Sequence, residues 1–167
     1  MEEIMFIYSV RASTLRFVAV LILCVVGLGI LLGMTGADAT FASVDGREIN
    51  YGGIRENDER IAFIEQFGLK VNPEAKTEET LSLPENFDRV INGYNEIQKR
   101  QGLDLSKYKN KRVTHFAYEV TNYSFDGVVY VNLYVYRGKV IACDISSLSK
   151  DGFILPLTEI DAKNLKA

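Results

Sequence analysis

From Phe17 to Ala37 the chain reads FVAVLILCVVGLGILLGMTGA, a run without one charged side chain. As a helix rising about 1.5 Å per residue it reaches roughly 31 Å, the thickness of a bilayer's hydrocarbon core. Its dozen or so Leu, Ile, Val and Phe each favour insertion by roughly 0.3–0.6 kcal/mol, a sum on the order of 4–7 kcal/mol. Residues 17–37 are therefore expected to form a transmembrane helix behind a cytoplasmic tail, 1–16. Arg11 and Arg16 precede the run, whereas Asp38 and Asp45 follow it and Arg47 is the first basic residue beyond. Positive charge stays inside, so the expected product is a single-pass protein of the cell membrane with its C-terminal part outside.

A cleaved secretory signal is the competing reading, because Ala37-Asp38-Ala39 has the small-x-small pattern of a cleavage site. Cleavage near Ala39 would release the rest of the chain, but the apolar run exceeds the roughly 7–15 residues of a signal core. Gly29 and Gly33 form a GxxxG pair, a candidate face for a homodimer through the membrane helix.

The remaining residues suffice for one domain. They carry 17 Lys and Arg against 20 Asp and Glu once Arg11, Arg16, Glu2 and Glu3 are set aside, and nothing resembles the basic stripe that phosphate backbones require. Nucleic acid is not an expected partner. Cys24 lies inside the apolar run and Cys143 far along the chain, which excludes a disulfide framework and a paired-cysteine metal site. Residues 38–56, rich in Gly, Ala, Ser and Asp, are expected to be a flexible linker; 57–155 the folded domain; 156–167 a C-terminal tail.

Within the domain, Asn57 has the chemistry of an N-cap, and Ile61, Ile64 and Phe67 recur at helical spacing until Gly68. A second helix is expected from Pro84 to Gly102, with Phe87, Val90, Ile91, Tyr94 and Ile97 on its buried face. Thr80 to Leu83 reads as a weak strand, and three strong strands follow at 112–122, 128–136 and 139–147. The middle one alternates Val129, Val131, Leu133 and Val135 with Tyr130, Asn132, Tyr134 and Tyr136. A three-residue loop at Tyr136-Arg137-Gly138 would set Tyr130 opposite Asp144, whereas a two-residue turn would set Asp144 across from Val131 on the buried face. The first register is preferred because it keeps a carboxylate out of the core and makes Cys143 a buried thiol. The expected fold is α+β: two helices packed on one face of a three- to four-stranded antiparallel sheet, preceded by the N-terminal transmembrane helix.

A set of segments in this order is distinctive: Arg60-Ile61-Ala62-Phe63-Ile64-Glu65-Gln66-Phe67-Gly68, then Pro84 and Phe87, then Tyr94-Asn95-Glu96 with Gln98 and Gln101-Gly102-Leu103-Asp104-Leu105, then Gly138-Lys139-Val140-Ile141 and Asp151-Gly152-Phe153. They resemble the domain of unknown function 4830 family, membrane-anchored proteins of Gram-positive bacteria. The family pattern has an aromatic residue and a glycine where Leu69 and Ala142 stand here. The resemblance implies a membrane-tethered bacterial domain and implies no activity.

His115 is the one histidine, and no HExxH, GxSxG, P-loop or GxGxxG pattern occurs, so neither a catalytic triad, a metal site nor a cofactor is expected. What remains is the outward sheet face, with His115, Glu119, Tyr130, Asn132, Tyr134 and Asp144. Its tyrosines offer amphipathic contact area for an envelope protein or a cell-wall polymer. Its two carboxylates and histidine define the alternative, an envelope enzyme working by acid and base. The plain reading is a solvated face whose tyrosines favour strand formation.

Overall fold

The strictest alternation in the chain lies at the centre of its sheet. A computed structural model describes residues 41–44 and 47–166. In it, β4 (Arg112–Glu119), β5 (Tyr130–Tyr136) and β6 (Lys139–Ser147) are flanked by β3 (Thr77–Ser82) and β7 (Phe153–Leu155). All pairings in the order β3-β4-β5-β6-β7 are antiparallel. A hairpin of β1 (Phe41–Val44) and β2 (Arg47–Asn50) precedes α1 (Asn57–Glu65), and α2 (Arg89–Arg100) lies between β3 and β4. The class is α+β as expected, with five strands in the main sheet. The 1–16 tail, the 17–37 span, Cys24, the Gly29 and Gly33 dimer face and the cleavage site near Ala39 lie outside the described residues. Among the described residues no helix is long and apolar enough to cross a membrane.

The sheet has an apolar cluster on each face, and the helices divide between them. Phe63 and Ile64 of α1 join Phe116, Tyr118, Val131, Leu133, Cys143 and Ile145 in the larger cluster. Tyr94 of α2 packs instead against a second cluster of Leu83, Leu105, Val113, Ile141 and Ala142, together with Tyr134 and Tyr136. The expectation that both helices cover one face is thereby corrected. The face left to solvent in the sequence reading holds enough apolar surface of its own to require a helix over it.

Both helices begin differently from the sequence reading. The N-cap of α1 is Glu56 rather than Asn57, in a capping box where Glu59 accepts from the backbone N–H groups of Glu56 (2.8 Å) and Arg55 (2.6 Å). These backbone bonds hold the Glu59 carboxyl below its ordinary range. Asn57 is used sideways, accepting from the Tyr118 hydroxyl at 2.8 Å. For α2 the start moves from Pro84 to Arg89, because Asp88 caps the Ile91 N–H at 2.8 Å. It ends at Gly102, whose φ of +79° turns the chain.

Neither proposed end of the domain is loose. Ile49, Tyr51 and Ile54, assigned to a linker from composition, are core residues, and Ile54 N–H donates to Gly138 O at 2.8 Å. Leu157 is buried in the same core, and Leu165 and Tyr123 form a bridge within the expected tail. Isolated apolar residues spaced among glycines and acids give no periodicity to read, yet each fills a gap at the margin of the sheet.

The β5–β6 hairpin corrects the register. The turn has two residues, Arg137 at φ +50° and Gly138 at φ +77°, so that Tyr136 faces Lys139. A β-bulge at Ile141 then shifts the pairing by one residue, setting Leu133 opposite Cys143 and Asn132 opposite Asp144. Ile141 and Ala142 consequently both join the second cluster while Val140 and Cys143 join the first. Asp144 stays off the Val131 face, and Cys143 is a buried thiol whose pKa burial raises, by a route different from the one expected. Arg137 holds a left-handed conformation that costs a branched or long side chain about 1–2 kcal/mol and asparagine less. Arg137→Asn is therefore expected to raise the unfolding free energy by about 0.5–1 kcal/mol in urea titrations, and a fall in stability would refute strain at this turn.

Candidate functional site

The six residues singled out on the outward face separate into two groups. His115, Asn132, Tyr134 and Asp144 come together under α2, whereas Glu119 and Tyr130 lie at the uncovered end. Cross-strand pairing explains the grouping: His115 faces Tyr134, Asn132 faces Asp144, and Glu119 faces Tyr130. The expected Tyr130–Asp144 pair is corrected, since Tyr130 faces Ser146.

A continuous polar relay crosses four strands and reaches the helix. Glu79 Oε1 on β3 lies 3.2 Å from His115 Nδ1, and His115 Nε2 lies 3.0 Å from Asn132 Oδ1. Asn132 Nδ2 donates to Asp144 Oδ1 at 2.8 Å and to Ser146 Oγ at 2.9 Å. The Tyr94 hydroxyl donates to Asp144 Oδ2 at 2.7 Å. The carboxylate of Asp144 accepts only, so it fixes the Asn132 amide with nitrogen toward β6 and oxygen toward His115. Nε2 must then be a donor. The other ring nitrogen, Nδ1, faces the Glu79 carboxylate.

Aromatic contacts enclose the relay. The His115 ring stacks on Tyr134 with centroids 4.6 Å apart at 17°, and Tyr94 meets Tyr134 edge-on at 5.9 Å. Asp144 is 2% exposed, and its pKa is raised by burial against the opposing hydrogen bonds of Tyr94, Asn132 and Ser146. Burial, with the neighbouring Asp144 charge, pushes Tyr134 up to about 12 and raises Tyr94 as well. Glu79, by contrast, keeps 61% of its side chain in solvent while His115 keeps 13%. The relay thus runs from solvent at Glu79 to a sealed carboxylate at Asp144.

Sequence reasoning missed the residues that hold α2 in place. Gln98 and Gln101 are fully buried, and they treat Cys143 as a neighbouring strand would. The Cys143 N–H donates to Gln98 Oε1 at 2.9 Å, and Gln101 Nε2 donates to Cys143 O at 2.6 Å and to Gln98 Oε1 at 2.7 Å. Gln101 Oε1 also accepts from Leu157 N–H at 3.1 Å, and its backbone carbonyl accepts from the Tyr51 hydroxyl at 2.7 Å. The outer edge of β6 is engaged in three places: residues 51–54 bond 138–140, the two glutamines bond Cys143, and β7 bonds 145–147. A polar stripe at i, i+3 on an otherwise solvated helix face was the available signal.

At the other end, Glu119, Tyr130, Ser146 and Ile154 form one cross-strand row, with Val128 two residues before Tyr130. Ile154 is 42% and Val128 48% exposed, and Lys76 Nζ pairs with Glu119 at 3.8 Å beside them. A groove of about 300 Å³ lies elsewhere, between the end of β2 and α1, lined by Asn50, Gly52, Ile54, Glu59, Ala62, Phe63 and Gln66. Among the described residues no cluster of His, Cys, Asp or Glu has the arrangement of a metal site.

The family model described as Domain of unknown function (DUF4830) matches residues 63–145, a span that contains Glu79, Tyr94, His115, Asn132 and Asp144 of the relay and both glutamines. No curated protein and no solved structure gives a match.

Proposed function

We propose, for a chain that belongs to the DUF4830 family through residues 63–145, a membrane-anchored extracytoplasmic domain that works by binding a protein of the cell envelope. The observation that carries this reading is the contrast between the two ends of one sheet face. Asp144, the carboxylate an acid–base mechanism would use, is sealed beneath Tyr94 with its oxygens already bonded. A substrate has no path to it without displacing α2, and a general acid or base must come within hydrogen-bond reach of the reacting atom.

The Tyr130 end has the opposite character. An aromatic ring, two exposed aliphatic side chains and a flanking Lys76–Glu119 pair make an apolar centre with a charged rim, the anatomy of a protein contact. The apolar 17–37 run supports the anchor, and Arg11 and Arg16 ahead of it support the outward orientation of the domain.

A photoreactive amino acid placed at Tyr130 in the full chain, irradiated in native membranes, is expected to give a discrete cross-linked protein. That product should disappear with Ile154→Glu and should not form from a probe at Glu78. Equal labelling from both positions, or none from Tyr130, overturns the binding face, and labelling of polysaccharide alone would move the assignment to a cell-wall polymer.

A further inference from the structure

We propose that the end of the sheet at which the chain enters the domain is a docking surface for an anionic lipid bilayer, formed by Lys107, Lys109, Lys111 and Arg112 with Arg137 beside them. The inference rests on the reading of 17–37 as a membrane span. Its own ground is the coincidence of chain entry and unpaired positive charge at one end of the domain.

The basic residues share that end by register. Arg112 begins β4 two residues before Thr114, which faces Val135, so it stands level with Arg137 in the β5–β6 turn. A short 3-10 turn, Leu105–Tyr108, sets Tyr108 edge-on to Tyr136 with centroids 5.7 Å apart, which places Lys107 and Lys109 at the same edge. Lys109 Nζ sits 5.3 Å over the Phe87 ring, three residues from Val90, which is 76% exposed. Among the described residues Lys107, Lys109, Lys111, Arg112 and Arg137 form no ion pair, and all five are exposed. Asp104, just ahead of the segment, is occupied: burial would raise its pKa, but Ser106 and Asn95 bond its carboxylate and hold it below the ordinary range. Glu85 and Asp88 flank Phe87 on the adjoining turn, Asp88 accepting from the Ile91 N–H.

Chain entry lies at the same end. Phe41 of β1 faces Asn50, whose side chain accepts from Gly52 N–H at 2.9 Å, and Gly52 bridges Lys139 next to the turn. Only Asp38, Ala39 and Thr40 separate Phe41 from the last residue of the apolar run. Fully extended, that tether spans at most roughly 14 Å. The expected 38–56 linker would have let the domain stand clear, but β1 begins at Phe41, and screening over about 8 Å makes so short a tether matter to charges at this end. A phosphate-bearing surface there attracts Lys and Arg, each strengthening association roughly fivefold.

The test uses the full chain with vesicles of 30% phosphatidylglycerol in phosphatidylcholine and with pure phosphatidylcholine, read by flotation and by amide hydrogen exchange. Flotation with neutral vesicles reports the anchor by itself. Exchange at 105–112 and 136–139 is expected to slow several-fold on the anionic vesicles only. The protection should be lost in 0.5 M NaCl and in the combined Lys107→Gln, Lys109→Gln, Lys111→Gln, Arg112→Gln variant, while strands β4 to β6 keep wild-type exchange. A chain that floats but exchanges equally on both vesicle types overturns the docking surface and leaves the anchor standing. A chain that fails to float on neutral vesicles removes the anchor, and salt-insensitive or absent flotation on anionic vesicles then removes the surface too. Protection produced by inorganic phosphate without vesicles also overturns it, because the site would then serve a free anion.

Discussion

Gln101→Ala lowers the unfolding free energy by about 3–5 kcal/mol, the sum of a buried cavity and of polar groups stranded without partners. The side chain is fully buried and bonds Cys143 O, Gln98 Oε1 and Leu157 N–H, so truncation strands groups on β6 and after β7 in one step, while Gln98 Oε1 keeps the Cys143 N–H. Urea titrations should show a lower midpoint with little change in slope, since the loss falls on the folded state. Gln98→Ala strands Cys143 N–H and costs a comparable amount, and the double variant costs less than the two separately because the amides share a bond. A loss below about 1 kcal/mol for Gln101→Ala would mean that α2 does not close the sheet edge.

Asp144 has an effect of similar size and adds a dependence on pH. Asp144→Ala leaves the Tyr94 hydroxyl and the Asn132 amide without their acceptor and is expected to cost about 2–4 kcal/mol. The sign of the pH effect follows from burial. Unfolded, Asp144 ionises in the ordinary carboxylate range; folded, it keeps its proton to higher pH. Between those values the folded state binds more protons, so this group's contribution is complete below the ordinary range and declines as pH rises through the folded value. Glu59 and Asp104 have lowered values, and their stabilising contributions are lost as pH falls through and below the ordinary range, which separates them from the Asp144 window. Asp144→Asn keeps the shape without the charge. It should cost about 1–2 kcal/mol at acid pH and abolish the decline above the ordinary range, measured by urea unfolding from pH 4 to 7. An unchanged slope in that variant would assign the dependence to another group.

The sheet was legible because alternation is a property of the strand itself. Val129 to Tyr136 names both faces, and β4, β5 and β6 fall within a few residues of the spans read from the sequence. The Ile141 bulge was not legible, since the choice between loop lengths assumed uninterrupted pairing. A two-residue turn with one extra residue satisfies the turn and the burial of Asp144 together. Helix α2 failed for a related reason: its apolar stripe suggested Val90 and Ile97 as anchors, but Val90 is exposed and the buried positions are Asn95 and Gln98. Hydropathy cannot see an amide recruited to finish another element's hydrogen bonding. For the candidate site, alternation alone puts the six residues on one face, and their separation into a sealed relay and an open row comes from where the second helix lies, a long-range fact absent from local pattern.

Closing one margin of the sheet leaves the other to face neighbours. Beside β6 the backbone of Val140, of Cys143 and of residues 145–147 is already engaged, so a second molecule arriving there finds little vacant template. The opposite margin is β3, whose Glu78 and Glu79 stand exposed in adjacent positions. Two molecules approaching through that strand would bring their Glu78 and Glu79 carboxylates into apposition, and this repulsion disfavours pairing of copies through β3.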